Sequence, residues 1–258
     1  MTRAIAFPRL DGDFILALLE QVKPIAAGEV LEELSTQAGR VLINLGALLP
    51  NGAARTTTMA CDDGVKFVNL DWLPDRNANG YFDAADGVVV PDATSQALYR
   101  LNLSWWLSWL ATALALTNAG RPTELVPGQA WDIGDLWITR QRKVPVLFAR
   151  RLHLDEIAED LRSALAKRIG RNGGIILTSS RQPLATVAWP GSHQVMTICE
   201  ALANDGATFG IDVNLVRSPY LSPSILRTTS RHSWRSGIQH ETRGCHRRGP
   251  DCRMADGS

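Results

Sequence analysis

The chain has 258 residues, 45% hydrophobic and 21% charged, which is enough apolar material for a buried core and too much for a disordered chain. Its 27 Lys and Arg against 26 Asp and Glu leave a net charge of +1, which excludes a nucleic-acid coat or a polyanion mimic as the character of the whole chain. Residues 1–130 nevertheless carry 9 cations and 14 anions, and residues 131–258 carry 18 and 12, so an acidic first half meets a basic second half.

Asp11 to Val22 and Glu29 to Leu45 read as helices separated by Pro24, the second because Val30, Leu31, Leu34, Ala38, Val41, Leu42 and Leu45 keep the spacing of one apolar face. Arg55 to Cys61 and Val65 to Leu73 are β-rich runs around the turn signal Asp62-Asp63-Gly64, hence a hairpin. Asp75 to Gly87 is a polar loop, and Val88-Val89-Val90 a short strand stopped by Pro91. A long Trp-rich helix is expected over Thr94 to Asn118, ended by Gly120 and Pro122. Leu101 to Gly120 carries no charge and has the length of a membrane span, but Ser104, Ser108 and Thr112 lie on one stripe opposite Trp106, Leu107, Leu110 and Leu114. Three tryptophans also sit at its centre, where a lipid-facing helix carries aliphatic residues, so it reads as a core helix.

A second hairpin follows, Trp131 to Ile138 and Val144 to Leu152, joined by the basic turn Thr139 to Lys143. Leu154 to Ile169 has an apolar face at Leu154, Ile157, Ala158, Leu161 and Leu165, acids in its first turn and cations in its last, the signature of a surface-packed helix. Gly173 to Ser180 is an unbroken apolar strand suited to a sheet interior. His193 to Leu202 and Ala207 to Val216 read as two further strands or short elements around Asn204-Asp205-Gly206. From Ser222 the material changes to seven arginines, no lysine, six serines and three histidines without periodicity, a mixture expected of an unstructured tail or of a reading frame shifted near Ser218 to Thr228. The expected organisation is therefore α+β or α/β: a mixed helix and hairpin region over 1–125, a β-β-α-β core over 126–221, and a disordered or non-native tail over 222–258.

Four scattered cysteines make no disulfide framework, and the N-terminal apolar run is bracketed by Asp13 and Glu20, unlike a signal peptide. A cytoplasmic protein without a membrane anchor is expected.

Asp75, Asn77, Asn79, Asp83 and Asp86 stand at positions 1, 3, 5, 9 and 12 of a twelve-residue stretch with Gly80 at position 6. This spacing resembles the calcium loop of EF-hands and dockerins, in which alternate oxygens of a tight turn converge on Ca²⁺. The resemblance implies these five residues as Ca²⁺ ligands and an alternative function as a calcium-binding interaction module. Pro74 before the loop, Gly87 after it and strand-like flanks depart from the helix-loop-helix frame.

The order hairpin, helix, strand over 131–180 resembles the core of the PD-(D/E)xK nuclease-like fold. That family gathers a divalent metal with an acid on the first hairpin strand and an E-x-K on the second, and the metal activates water beside the scissile phosphate. Asp132 or Asp135 corresponds to the first acid, which keeps a metal-dependent hydrolase as a further alternative. The second strand reads Val146-Leu147-Phe148-Ala149-Arg150-Arg151 and offers no carboxylate. The resemblance thus implies a catalytically incomplete core that binds without cutting.

Ten cations and four acids lie between Arg140 and Arg181. The turn residues Arg140, Arg142 and Lys143 and the helix-end residues Lys167, Arg168 and Arg171 are expected to form one phosphate-binding edge, because guanidinium groups suit bidentate oxyanion contacts. His153 and His193 fit no metal-ligand spacing, and Ser179-Ser180 and Ser192-His193 lack a nucleophile-elbow pattern, so they read as structural. In the tail, His240, Cys245, His246 and Cys252 fit no zinc-finger interval. The function expected is that of a non-enzymatic, nucleic-acid-associated or regulatory protein whose partner is DNA or another nucleic acid.

Overall fold

The computed structural model describes residues 7–28, 30–31, 38–61, 64–168, 173–183, 187–203 and 208–221. The tail from 222, Arg171 and the turn signals expected at 62–63 and 204–206 lie outside the described residues.

The chain enters on β1 (Phe7–Pro8) and turns into α1 (Arg9–Leu19), whose Ile15, Leu16, Leu18 and Leu19 are buried. Gly12 lets this helix approach the Phe209 ring closely: a methyl group there would lie 1.8 Å from Phe209 Cδ2. β2 (Ile25–Ala27) follows, then α2 (Ala38–Asn44), which with the helical Val30 and Leu31 falls within the expected 29–45 helix, and β3 (Leu48–Ala53). β4 (Thr56–Cys61) and β5 (Gly64–Asn69) form the expected antiparallel hairpin.

Asp75 to Gly87 is not a loop. After β6 (Asp71–Leu73), a single 3-10 turn spans Pro74–Arg76, β7 (Ala78–Asp83) pairs back on β6, and β8 (Gly87–Val89) pairs with β7. Asn77 makes the reversal in the left-handed region at φ 49°, and Asp83 Oδ1 accepts from the backbone N–H groups of Ala85 (2.7 Å) and Asp86 (3.1 Å) to close the second turn. The Asn, Asp and Gly residues that suggested a loop are the punctuation of a small meander.

The single helix expected over Thr94 to Asn118 is three elements: α3 (Ala93–Gln96), β9 (Ala97–Leu101) and α4 (Leu103–Ala113). Tertiary pairing overrides helical propensity here, since β9 is the central strand between β2 and β3. Asn102 restarts the helix: its Oδ1 accepts from Trp105 N at 3.2 Å, while its Nδ2 donates to the Gly46 carbonyl at 3.0 Å. Within the shortened helix the two faces are as expected, Ser104, Ser108 and Thr112 exposed and Trp106, Leu107 and Leu110 buried. Among the described residues no helix is long and apolar enough to cross a membrane.

β10 (Thr123–Val126), β11 (Ala130–Trp137) and β12 (Lys143–Ala149) form an antiparallel meander. α5 (Asp155–Ala166) then returns the chain to β13 (Ile175–Thr178), which is parallel to β12, and β14 (Gln194–Thr197) is parallel to β13. The five-stranded sheet has the order β10-β11-β12-β13-β14. The chain closes with β15 (Thr208–Phe209), antiparallel to β1, and α6 (Val213–Leu221). A strand or short element is expected over Ala207 to Val216; a short strand does form at Thr208–Phe209, and Asp212 Oδ1 then accepts from Asn214 N at 2.8 Å and caps a helix.

The fold is α+β. Period-2 alternation splits the sheet's side chains between two apolar clusters. Val146, Phe148, Ile175 and Leu177 face a large core with α1 and the tryptophans of α4, while Leu147, Ala149 and Ile176 face Ile157, Ala158, Leu161 and Leu165 of α5. The larger cluster runs from Phe7 to Val216 and includes Trp106, whose ring meets Phe148 edge-on at 6.1 Å.

Candidate functional sites

Because β12 and β13 are parallel, the sheet has a well-defined entry end, at Lys143 and Ile175, and an exit end, at Ala149 and Thr178. Tyr220 of α6 is held at the entry end, its hydroxyl donating to the Gly174 carbonyl at 2.7 Å, with the Ser192 carbonyl at 3.2 Å also in reach. Burial raises the Tyr220 phenol above its ordinary value and Arg142 opposes that, so the group stays a donor near neutral pH.

The expected cations divide. Arg140, Arg142, Lys143 and Lys167 are exposed. Lys143 Nζ stands 4.3 Å from the Trp137 ring centroid and the Arg142 guanidinium carbon 5.3 Å from that of Tyr220, so two of the cations rest on aromatic faces. Arg168 is committed elsewhere, its guanidinium 2.5 Å from Asp132 Oδ2 with both groups largely buried. Arg217, which sequence reasoning passed over, lines a cavity of about 420 Å³ with Trp137, Thr139 and Arg140, and its Nε is buried without a hydrogen-bond partner. Its signal was faint: one arginine in a segment expected to be a strand.

Asp132 and Asp135 are three apart on β11 and would face opposite sides of a regular strand. A bulge between Asp132 and Gly134, with Gly134 at φ 130°, turns both onto one cavity of about 160 Å³ beside Arg121. Asp132 is engaged by Arg168, and Asp135 Oδ2 accepts from Asn118 Nδ2 at 2.8 Å. Asp75 is exposed in the 3-10 turn, Asn77 makes the reversal, Asn79 and Asp83 belong to β7, and Asp86 is exposed in the turn after it. Among the described residues no group of three or more His, Cys, Asp or Glu side chains is placed to hold a metal ion.

The exit end holds a polar cluster in which His153, Ser179 and Ser180, expected to be structural, meet Glu20 and Arg151. Glu20, at the C-terminus of α1, receives four donors: Ser179 Oγ, Ser180 Oγ at 2.9 Å, His153 Nδ1 at 2.9 Å and the Arg151 backbone N–H at 3.3 Å. Ser179 and Ser180 are buried and leave β13, whereas His153 and Arg151 leave β12. Arg151 adopts φ 59°, a conformation disfavoured for a residue with a side chain and held here by its surroundings. Next to it, Arg150 is fully buried and donates to the carbonyls of Leu19 (2.8 Å) and Gln21. Burial lowers the Arg150 guanidinium from its ordinary range, Arg151 adds to this and Glu20 opposes it. His153 and Glu20 border an open cavity of about 560 Å³ together with Arg181 and Gln182.

No family model, no curated protein and no solved structure matches the chain.

Proposed function

We propose that this chain is a non-enzymatic, nucleic-acid-associated protein that grips the phosphate backbone at the entry end of its sheet, through Arg140, Arg142, Lys143 and Arg217. One observation carries this reading: at that end Lys143 lies over the Trp137 ring and Arg142 over the Tyr220 ring, and Trp137 lines a solvent-open cavity with Arg140 and Arg217. Cations that follow a phosphate backbone, interleaved with aromatic platforms on which bases stack, are how single-stranded nucleic acid is held without sequence preference. The order α4, three antiparallel strands, α5 and a parallel strand accords with a nuclease-like core, in which the pairing of Asp132 with Arg168 removes the acid that would hold a catalytic metal. A cytoplasmic setting belongs to this reading, given the sparse cysteines.

Fluorescence anisotropy of a labelled single-stranded oligonucleotide, titrated with the full chain across a salt series, tests it. Four phosphate contacts imply a log-log salt slope of about −3, and the Arg140→Ala/Arg217→Ala variant reduces its magnitude by about 1.5. Absence of binding at low salt, or binding indifferent to that variant, overturns the reading.

A further inference from the structure

We infer that the exit-end cavity is a second binding site, for a small molecule carrying a phosphate monoester, recognised by Arg181 and by the Nε2 atom of His153. The inference is independent of nucleic-acid binding at the opposite end of the sheet.

Glu20 organises the site. Two buried serine hydroxyls and a backbone amide fill three acceptor directions of its carboxylate and lock its orientation, and the fourth takes His153 Nδ1. An imidazole that gives its Nδ1 proton to a carboxylate has a defined tautomer and ring plane, and its other nitrogen is the one left for a ligand. That arrangement costs the fold something: the carboxylate lies at a helix C-terminus, where the helix dipole disfavours negative charge, and Arg151 holds a strained backbone angle beside it. A contact needed only to fasten α1 to the sheet is already supplied by Arg150 through the Leu19 and Gln21 carbonyls.

The location accords with this role. The cavity opens beyond the carboxyl ends of two adjacent parallel strands, β12 and β13, the end of the strands at which open α/β sheets place their ligands. At about 560 Å³ it has the size of a small-molecule site, with Leu16 and Ala17 forming an apolar wall for the body of the ligand.

The donors select the headgroup. Arg181 is exposed at the cavity and makes no ion pair among the described residues. Its planar guanidinium presents two parallel N–H groups, which one edge of an oxyanion fills. A carboxylate is exhausted by that contact. A phosphate monoester keeps a third terminal oxygen out of the plane, and its second ionisation near pH 6 lets it share a proton with His153 Nε2, as P–O–H to the neutral ring or as dianion to the imidazolium.

Isothermal titration of the full chain with adenosine monophosphate and with inorganic phosphate, and with acetate as the carboxylate control, tests the inference. Expected is saturable one-to-one binding of the phosphates and none of acetate. Affinity falls at least tenfold in Arg181→Ala and in His153→Ala, both exposed positions whose truncation leaves the fold intact by circular dichroism, and is unchanged in Arg140→Ala/Arg217→Ala. The ring-nitrogen resonances of His153 report separately: Nε2 shifts on phosphate addition, and Glu20→Gln alters the Nδ1 signal before any ligand is added. No saturable heat with either phosphate, acetate binding as well as phosphate, or phosphate binding lost only in Arg140→Ala/Arg217→Ala each overturns the inference. Oligonucleotide binding, read by anisotropy in the same variants, stays unaffected by Arg181→Ala, so the two sites fail or survive separately.

Discussion

Arg150 Nε donates to the Leu19 carbonyl at 2.8 Å across 131 residues of sequence, so that a cation leaving β12 closes the last turn of α1. Helix C-termini leave their final carbonyls without intrahelical partners, and a buried end needs a donor from elsewhere. The guanidinium meets that need, and the helix dipole favours its positive charge there. Arg150→Met preserves volume but leaves the Leu19 carbonyl unpartnered in a buried place and removes the donor to the Gln21 carbonyl. The expected loss is about 2–4 kcal/mol, measured by urea denaturation, with phosphate and oligonucleotide affinities unchanged in the folded fraction.

Asp11 is 1% exposed, and neither of its carboxylate oxygens has a hydrogen-bond partner. Burial raises its pKa above the ordinary 3.8, so the folded state favours the neutral acid. As pH rises through the ordinary value the unfolded chain ionises first. The stability contributed at this position, full below that value, is therefore lost until the folded carboxyl ionises too. Asp11→Ala removes the cost. The expected gain at pH 7 is about 1–3 kcal/mol, and thermal melts of the variant lose part of the fall in Tm that the parent shows between pH 4 and pH 7.

Gly12 packs against the flat of the Phe209 ring, where a methyl group would come within 1.8 Å of a ring carbon. Phe209 is itself wedged against Phe7, Trp106 and Trp109, with centroid separations of 5.2, 6.2 and 5.6 Å, so it has little room to retreat. Gly12→Ala should destabilise by about 1–3 kcal/mol although alanine is the better helix former. Equilibrium denaturation gives the sign directly; a stabilised variant would mean that α1 shifts freely over β15.

At the entry end, Trp137 is 37% exposed and carries the Lys143 ammonium over its ring. Stacking and charge separate in their salt dependence. Trp137→Ala should weaken single-stranded binding by about 1–3 kcal/mol with the slope retained, whereas Lys143→Ala lowers the slope magnitude by about 0.7. Anisotropy titrations of both variants at several salt concentrations distinguish a stacking platform from a merely basic edge.

The hairpin of β11 and β12, the helix α5 and the strand β13 were legible from the amino-acid order, because each expresses its burial in local periodicity. The apolar positions of Trp131 to Ile138, stepped by one residue at the bulge, and the apolar face of Ile157, Ala158, Leu161 and Leu165 are buried in the fold. Ala97 to Leu101 was not legible as a strand. Its residues suit a helix, and only pairing with β2 and β3 makes β9 extended. The Asn and Asp residues of 75–86 mark turns wherever they occur, so composition suggested one loop where register forms three strands.

The entry-end cations were likewise visible as a cluster around Arg140 to Lys143, since neighbours in sequence remain neighbours in a turn. Their freedom was not: Arg168 is withdrawn by Asp132, and Arg217 arrives from a helix that Asp212 caps. The Glu20 cluster had no local trace at all. Its donors come from residues 151, 153, 179 and 180, and a carboxylate acquires such partners only when a helix end is packed against the ends of two parallel strands. Short-range order follows from side-chain spacing, which the chain carries along its length; the convergence of distant polar groups follows from which strands pair and which helix ends they bury.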